Sequence, residues 1–331
     1  MNEALMIVIG SIFNFALVKY LIKKLLPIFE KNYIDIPNSR SMHKIPKPTG
    51  GAILVVLSSF LTYLLLIFTS NMIHIIKLEA IFNLWRILIL SIPLSFLGFI
   101  DDLYEIKTCI KFATQIITAI LFINFIDINF FNFEKGILYL VLYLGLVTFI
   151  SGLINIVNFM DGIDGLICGI FSLTFIILSI KINVFFLPLS LGFIGFLNKN
   201  WYPSKIFMGD AGSTFLGGIF AASILQSNSI QEAVSILLLI SPILMDSIIC
   251  IFRRIYYGHN ILKPHKLHLY QRLVQKGLPH DRVSIIYISS TFLISIFYLI
   301  DLFLFQILSI IFIFALGVYL EKKYALPFLE N

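Results

Sequence analysis

Apolar runs recur along the whole chain, and they limit its fold more than any other feature. Stretches near residues 4–22, 51–68, 84–100, 112–126, 136–157, 166–180, 184–197, 213–225, 233–252, 283–300 and 302–320 are each rich in Leu, Ile, Phe and Val. A helix needs about 20 such residues to cross a hydrocarbon core. The chain therefore reads as an all-α, polytopic integral membrane bundle of about eleven transmembrane helices. The shorter runs, such as 213–225, are expected to be tilted or buried among the others. Residues 1–331 read as a single membrane-embedded domain. Composition agrees: the 331 residues are 59% hydrophobic and 13% charged, whereas soluble domains are about a quarter charged. Too few polar side chains remain to coat a water-facing surface.

Lys and Arg set the expected orientation. With the N-terminus outside, nineteen basic residues fall on inward stretches, against four (Lys77, Arg86, Lys135 and Lys181) on outward ones. The first run has no basic segment before it and no small-residue cleavage site, so it reads as a retained helix. The net charge of +6 is accounted for by this orientation bias, and no nucleic-acid partner is expected. Cys109, Cys168 and Cys250 show no CxxC spacing and read as small hydrophobes.

The same sidedness sorts the polar chemistry, because nearly all Asp, His, Gly and Pro clusters lie on the inward connections. The first, Asp35 to Gly51, contains R-S-M-H-K-I-P-K-P-T-G-G. Its prolines fix the backbone, and Arg40, His43, Lys44 and Lys47 can face phosphates. The third run ends in Asp101-Asp102, followed by Lys111. Adjacent carboxylates at a membrane edge need a shared cation or proton, so they suit Mg²⁺ binding or general-base work. The fifth run leads into N-I-V-N-F-M-D-G-I-D-G, where Asn155, Asn158 and Asp161 share one helix face. Their oxygens suit a hard cation.

K-I-F-M-G-D-A-G-S-T, Lys205 to Thr214, precedes the eighth run. Gly209, Gly212 and Ser213 at a helix start would aim N–H groups at a phosphate, with Asp210 beside it as a metal ligand and Phe207 stacked on a base. The connection from Arg253 to Arg282 carries His265 and His268, three apart. A zinc site there would want further Cys or His, and the partners in view are carboxylates, so the reading is phosphate binding or substrate positioning. His74, His259 and His280 receive no role.

Together these five co-linear motifs resemble the polyprenyl-phosphate N-acetylhexosamine-1-phosphate transferases, glycosyltransferase family 4, over nearly the whole chain. The H-x-x-H-x-Y-Q-R motif (His265 to Arg272) and R-S-x-H-x-x-P-x-P in the first loop are similar to the branch that begins surface polysaccharide synthesis, such as O-antigen. The peptidoglycan translocase branch usually shows a run of consecutive histidines instead. The resemblance implies that Asp101 and Asp102 serve the polyprenyl phosphate site and that Lys111 contacts substrate phosphates. By the same likeness Asp210 ligates Mg²⁺, or Mn²⁺ in its place, and Asn155 matches a metal-ligating asparagine of some members. Asn158, Asp161 and Asp164 fall in the nucleotide-sugar segment, and Phe207 matches an aromatic that stacks on uracil. His43, Lys44, His265 and His268 complete the substrate-binding set.

The implied reaction moves a sugar 1-phosphate from a UDP-N-acetylhexosamine to undecaprenyl phosphate at the cytoplasmic face of the inner membrane, with release of UMP. A homodimer is compatible with this reading. The rival from another class is an anion transporter, whose polar groups would lie near mid-membrane in broken helices, often with an internal repeat. No repeat is visible here. Asp246, after Pro242 in the ninth run, is the one feature that fits the rival.

Overall fold

The computed structural model describes residues 3–38, 41–73, 78–126, 128, 136–260, 263 and 265–328. The helices are α1 (Glu3–Asn32), α2 (Ile53–Ile73), α3 (Leu78–Tyr104), α4 (Thr108–Phe125), α5 (Ile137–Met160), α6 (Leu166–Lys181), α7 (Phe186–Asn200), α8 (Asp210–Leu225), α9 (Ile230–Leu239), α10 (Ser241–Tyr256), α11 (Leu269–Gln275), α12 (His280–Leu299) and α13 (Phe303–Tyr324). A short antiparallel pair, β1 (Ile34–Asp35) and β2 (Lys47–Pro48), follows α1 with Ile34 opposite Pro48.

A helix lies over every one of the eleven apolar runs, so the chain is an all-α, multi-span membrane protein. Eleven equal crossings are not what the lengths give. Among the described residues seven helices are long and apolar enough to span, and the bent pair α9–α10 passes the same test only when its two helices are taken together. That pair is broken by 81°. Pro242 lies in the first turn of α10, where its missing N–H and fixed φ suit a helix start and forbid continuation from α9. α6, α7 and α8 have only 16, 15 and 16 residues.

The reason α8 can be short is its position. Every residue from Ala211 to Leu225 is buried, as expected of a helix apolar on all sides. It packs between α3 and α5. Gly217 lies against the Ile154 backbone of α5, and Gly218 against Leu94 of α3, with no room for a Cβ at either. Small residues at such contacts let helix backbones approach closely. By contrast only 17% of the span in α13 and 22% in α4 is buried, so these helices offer their apolar faces to lipid.

Polar helix ends collect at one end of the bundle. The C-terminal ends of α3 and α5 and the N-terminal ends of α4 and α8 meet there through Lys111, Asp210 and Asn158. α10 and α13 join by the ion pair of Arg253 with Glu321, and Glu321 also accepts from Arg272 Nη2 at 2.7 Å. The segment before α8 runs beside β2. Phe207 N–H donates to Pro48 O at 2.8 Å and Gly51 N–H to Phe207 O at 3.0 Å, which brings two motifs more than 150 residues apart into register.

Candidate active site

Four helix ends place their side chains around one ammonium group. Lys111, in the first turn of α4, donates to Asp101 Oδ2 at the end of α3 and lies 3.3 Å from Asp210 Oδ2 at the start of α8. The other Asp101 oxygen accepts the Ile106 N–H at 2.6 Å, which fixes the turn between α3 and α4. The other Asp210 oxygen accepts from Asn158 Nδ2 at 2.8 Å, and the same amide donates to Ser213 Oγ at 2.9 Å. Two carboxylate oxygens thus converge on a single cation position, at the membrane-face end of an otherwise apolar bundle. Oxygen donors of this kind suit a hard divalent cation as well as an ammonium.

Asp102 has a different place. Its carboxylate accepts the backbone N–H of Asp210 at 3.0 Å and approaches that of Ala211 at 3.4 Å. The sequence places a phosphate at this helix start; in the structure the acceptor there is the Asp102 carboxyl. Gly212 and Ser213, whose N–H groups were expected to face the phosphate, donate to Gly209 O instead. Gly209 has φ +76° and leaves no space for a side chain beside Asp102, while a Cβ at Gly98 would meet the Asp210 backbone at 2.5 Å.

The two asparagines of α5 part company. Asn155 and Gln115 exchange amide hydrogen bonds of 3.1 and 2.6 Å, and Asn155 also donates to Ser151 O. Asn158, one turn nearer the helix end, is the residue that touches Asp210. Asp161 caps α5, its N–H donating to Asn158 O at 3.2 Å. Burial, then the charges of Asp210 and Asp164, push its carboxyl well above the usual carboxylate range.

Asp164 is buried and accepts the Ser204 N–H at 3.0 Å, with Lys47 Nζ at 3.4 Å and His280 Nδ1 at 3.6 Å. Burial alone would raise its pKa, but His280, the Ser204 N–H and Lys47 outweigh it and hold the carboxyl at about 2. Lys47 also donates to Ser204 Oγ at 2.9 Å.

Phe207 lies beside this group. His43 meets its ring edge-on at 4.8 Å, and Lys47 Nζ stands 5.1 Å from its centroid. His43 Nε2 is 3.8 Å from Asp35. Lys44 is exposed, and Arg40 lies outside the described residues.

His265 and His268 are brought together, their rings 5.0 Å apart, and their contacts run to α10. His268 Nδ1 is 3.7 Å from Asp246 Oδ1. The next residues tie this region to α5: Tyr270 OH donates to Phe159 O at 3.1 Å. Arg272 Nη1 donates to Leu326 O at 2.8 Å, fastening the end of the chain.

Sequence reasoning missed Gln115, His280 and the anchoring role of Asp246. His280 opens α12 directly after Pro279, 116 residues beyond Asp164, and no local spacing signals that pairing.

A one-ended cluster of carboxylates, amides and ammonium groups in a multi-span helical bundle marks the chain as a membrane protein with a single polar site at one end. The comparisons specify the family. Residues 84–228 match the glycosyl transferase family 4 model. The chain is 29% identical over 311 residues to the probable undecaprenyl-phosphate N-acetylglucosaminyl 1-phosphate transferase of Bacillus subtilis, covering 87% of this chain and 82% of that one. It is 31% identical over 256 residues to the phospho-N-acetylmuramoyl-pentapeptide-transferase of Staphylococcus saprophyticus, with 68% and 76% covered. Against the decaprenyl-phosphate N-acetylglucosaminephosphotransferase of Mycobacterium leprae it is 26% identical over 303 residues, with 76% and 73% covered. The chain belongs to glycosyl transferase family 4 and is a glycosyl-1-phosphate transferase.

Proposed function

We propose that the chain transfers N-acetylhexosamine 1-phosphate from a UDP-sugar to undecaprenyl phosphate at the cytoplasmic membrane face, as the first step of a surface polysaccharide. The observation that carries this is the convergence of Asp101, Lys111, Asp210 and Asn158 at the ends of α3, α4, α8 and α5. The printed names of the relatives supply the lipid and sugar classes. The bias of basic residues toward the site end of the bundle supports the cytoplasmic side.

An oxygen of the lipid phosphate attacks the phosphorus next to the sugar, a new P–O–P link forms, the old one breaks, and UMP leaves with the electron pair. The nucleophile is largely ionised near neutral pH, so the protein has chiefly to hold two polyanions together. Asp210 would hold a Mg²⁺, which would supply positive charge to offset the charge of the phosphates. Lys111 neutralises phosphate charge, and Asp101 holds Lys111. Asn158 fixes the Asp210 carboxylate. Phe207, with His43 at its edge, offers an aromatic face for uracil, and Asp164 holds Lys47 over that ring.

The test is a purified enzyme given a panel of UDP-sugars, polyprenyl phosphate and Mg²⁺, with UMP as the readout. UMP should appear only with a UDP-N-acetylhexosamine and the lipid together. Absence of UMP from every donor, with uptake of an anion into liposomes, would establish a transporter instead.

A further inference from the structure

His280, to which no sequence motif gives a role, opens α12 against the group that surrounds Phe207. Its Nδ1 accepts the backbone N–H of Asp164 at 3.3 Å and lies 3.6 Å from the Asp164 carboxylate. One turn on, Ser284 Oγ donates to Asp164 O at 2.9 Å. The start of α12 therefore grips both backbone polar atoms of Asp164, from two positions that share a helix face. The imidazole is nearly enclosed, its side chain 12% exposed, with the Tyr202 ring 5.3 Å away. A backbone N–H buried in a connection between helices needs an acceptor, and His280 supplies it. Asp164 in turn sets Lys47. Its Oδ2 accepts the Ser204 N–H at 3.0 Å and lies 3.4 Å from Lys47 Nζ, which also donates to Ser204 Oγ at 2.9 Å. Lys47 Nζ stands 5.1 Å from the centre of the Phe207 ring. One line of contacts thus runs from α12 through the α5–α6 connection and β2 to the aromatic face.

We propose that His280 is a positioning residue for the nucleotide end of the donor site, holding Asp164 so that Lys47 stays over Phe207. The inference rests on the reading that the donor is a UDP-sugar. His280 acts on the backbone of Asp164. With that backbone fixed, the carboxylate keeps one direction, and the ammonium of a flexible lysine keeps one place. Without the acceptor, the Asp164 N–H is left buried and unpaired, and the connection shifts to find another. The carboxylate then moves with it, and the ring loses its cation. The loss falls on donor binding and not on the transfer step, because Asp101, Lys111 and Asp210 are held by partners of their own.

Calorimetry of UDP binding to the purified, intact chain with Mg²⁺, beside steady-state UMP release, tests this. His280→Ala should weaken UDP binding and raise the KM for the UDP-sugar about tenfold, with kcat and the KM for polyprenyl phosphate within about threefold of the wild type. Asparagine places an oxygen where Nδ1 stands, whereas glutamine places it nearer the position of Nε2. His280→Asn should therefore recover most of the affinity and His280→Gln little of it. Lys47→Met should also weaken UDP binding, and the double variant with His280→Ala should be no weaker than Lys47→Met alone, since both act on one line of contacts. If His280→Ala melts early, the two amides decide. Equal affinity for UDP in the Asn and Gln variants overturns the proposal, as do additive losses in the double variant or a fall in kcat at unchanged KM. A wild type that binds UDP and releases UMP, matched by His280→Ala, removes the role of His280 alone. A wild type that does neither removes the UDP-sugar reading and this proposal with it.

Discussion

Asp102 holds Asp210 by the backbone: its carboxylate accepts the Asp210 N–H at 3.0 Å, so one acidic residue of α3 seats the first residue of α8. The adjacent Asp101 turns the other way, toward Lys111. Two neighbouring aspartates thus divide their work, one setting helix position and the other setting charge. Asn caps a helix start about as well as Asp, whereas Ala costs about 1 kcal/mol. Asp102→Asn should therefore keep near wild-type thermal stability, and Asp102→Ala should lose about 1 kcal/mol. Asp101→Asn should leave melting little changed and lower the rate of UMP release more than Asp102→Asn does. Melting curves beside UMP assays on the three variants check this. Equal rate losses in Asp101→Asn and Asp102→Asn would refute the division.

Asp210→Asn should abolish turnover while the protein still inserts and melts as the wild type does. The amide keeps the shape and the contact with Asn158 but withdraws the charge a divalent cation needs. Asn155→Ala should do less, because its oxygen is engaged with Gln115. A Mg²⁺ titration of UMP release separates the two. Near wild-type activity of Asp210→Asn at limiting Mg²⁺ would remove Asp210 as the ligand.

Hydropathy placed a helix under each of the eleven apolar runs, because lipid imposes a composition that survives any detail of packing, but it missed the seven-residue α11 and read α9 and α10 as one run. The short run 213–225 is expected to be tilted or buried among the others, and α8 is buried; which neighbours bury it was not legible. α8 is as apolar as a span, yet it is short because α3 and α5 surround it, and the bend at Ile240 depends on Pro242, which hydropathy averages away. The site residues were legible as types. Asp101, Lys111, Asn158 and Asp210 are polar groups in apolar surroundings, which few causes explain. Their partnerships were not legible. Whether Asn155 or Asn158 meets Asp210 depends on the rotation of α5 against α8, and the choice of Asp102 as the cap of α8 depends on two glycines, Gly98 and Gly209, that let the backbones close.

Asp164 predicts an acid-sensitive term in stability. Its folded pKa, about 2, lies below the unfolded value of about 3.9. Such a group contributes stability above the unfolded value, and the contribution is lost as pH falls through the folded one. A difference of nearly two units corresponds to roughly 2–3 kcal/mol. Asp164→Asn should therefore melt below the wild type at pH 6, with the gap closing between about pH 4 and pH 2. A gap that stays constant across that range would mean that the charge of Asp164 is not what stabilises the fold.

The site end of the bundle should face the cytoplasm. In a Cys109→Ser background, which removes the exposed native thiol, a cysteine at Ser229 should react with an impermeant reagent added to intact cells. One at Asn260 should react only after the membrane is opened. Both positions are exposed. The opposite pattern would invert the bundle and sink the cytoplasmic assignment.

Lys111 is the one cation that touches both Asp101 and Asp210 among the described residues, and its removal should separate charge stabilisation from architecture. Its stem lies along apolar surface while its ammonium reaches the headgroup plane. As the two phosphates approach, the ammonium can exchange carboxylate contacts for phosphate ones at the moment negative charge accumulates. Loss of one such contact, made mainly in the transition state, costs roughly 2–4 kcal/mol, or about 10²–10³ in rate. Lys111→Ala should slow UMP release by that factor with membrane expression intact. Leaving Asp101 and Asp210 without their shared cation should also change the Mg²⁺ dependence, because a divalent ion then meets two uncompensated carboxylates. Lys111→Arg should recover part of the rate, since a planar guanidinium keeps the charge but not the shape of a compact ammonium. The check is single-turnover UMP release at saturating donor and lipid, with and without added polyprenyl phosphate. If Lys111→Ala turns over within a factor of three of the wild type, the ammonium only holds the carboxylates apart in the resting enzyme and takes no part in the transfer.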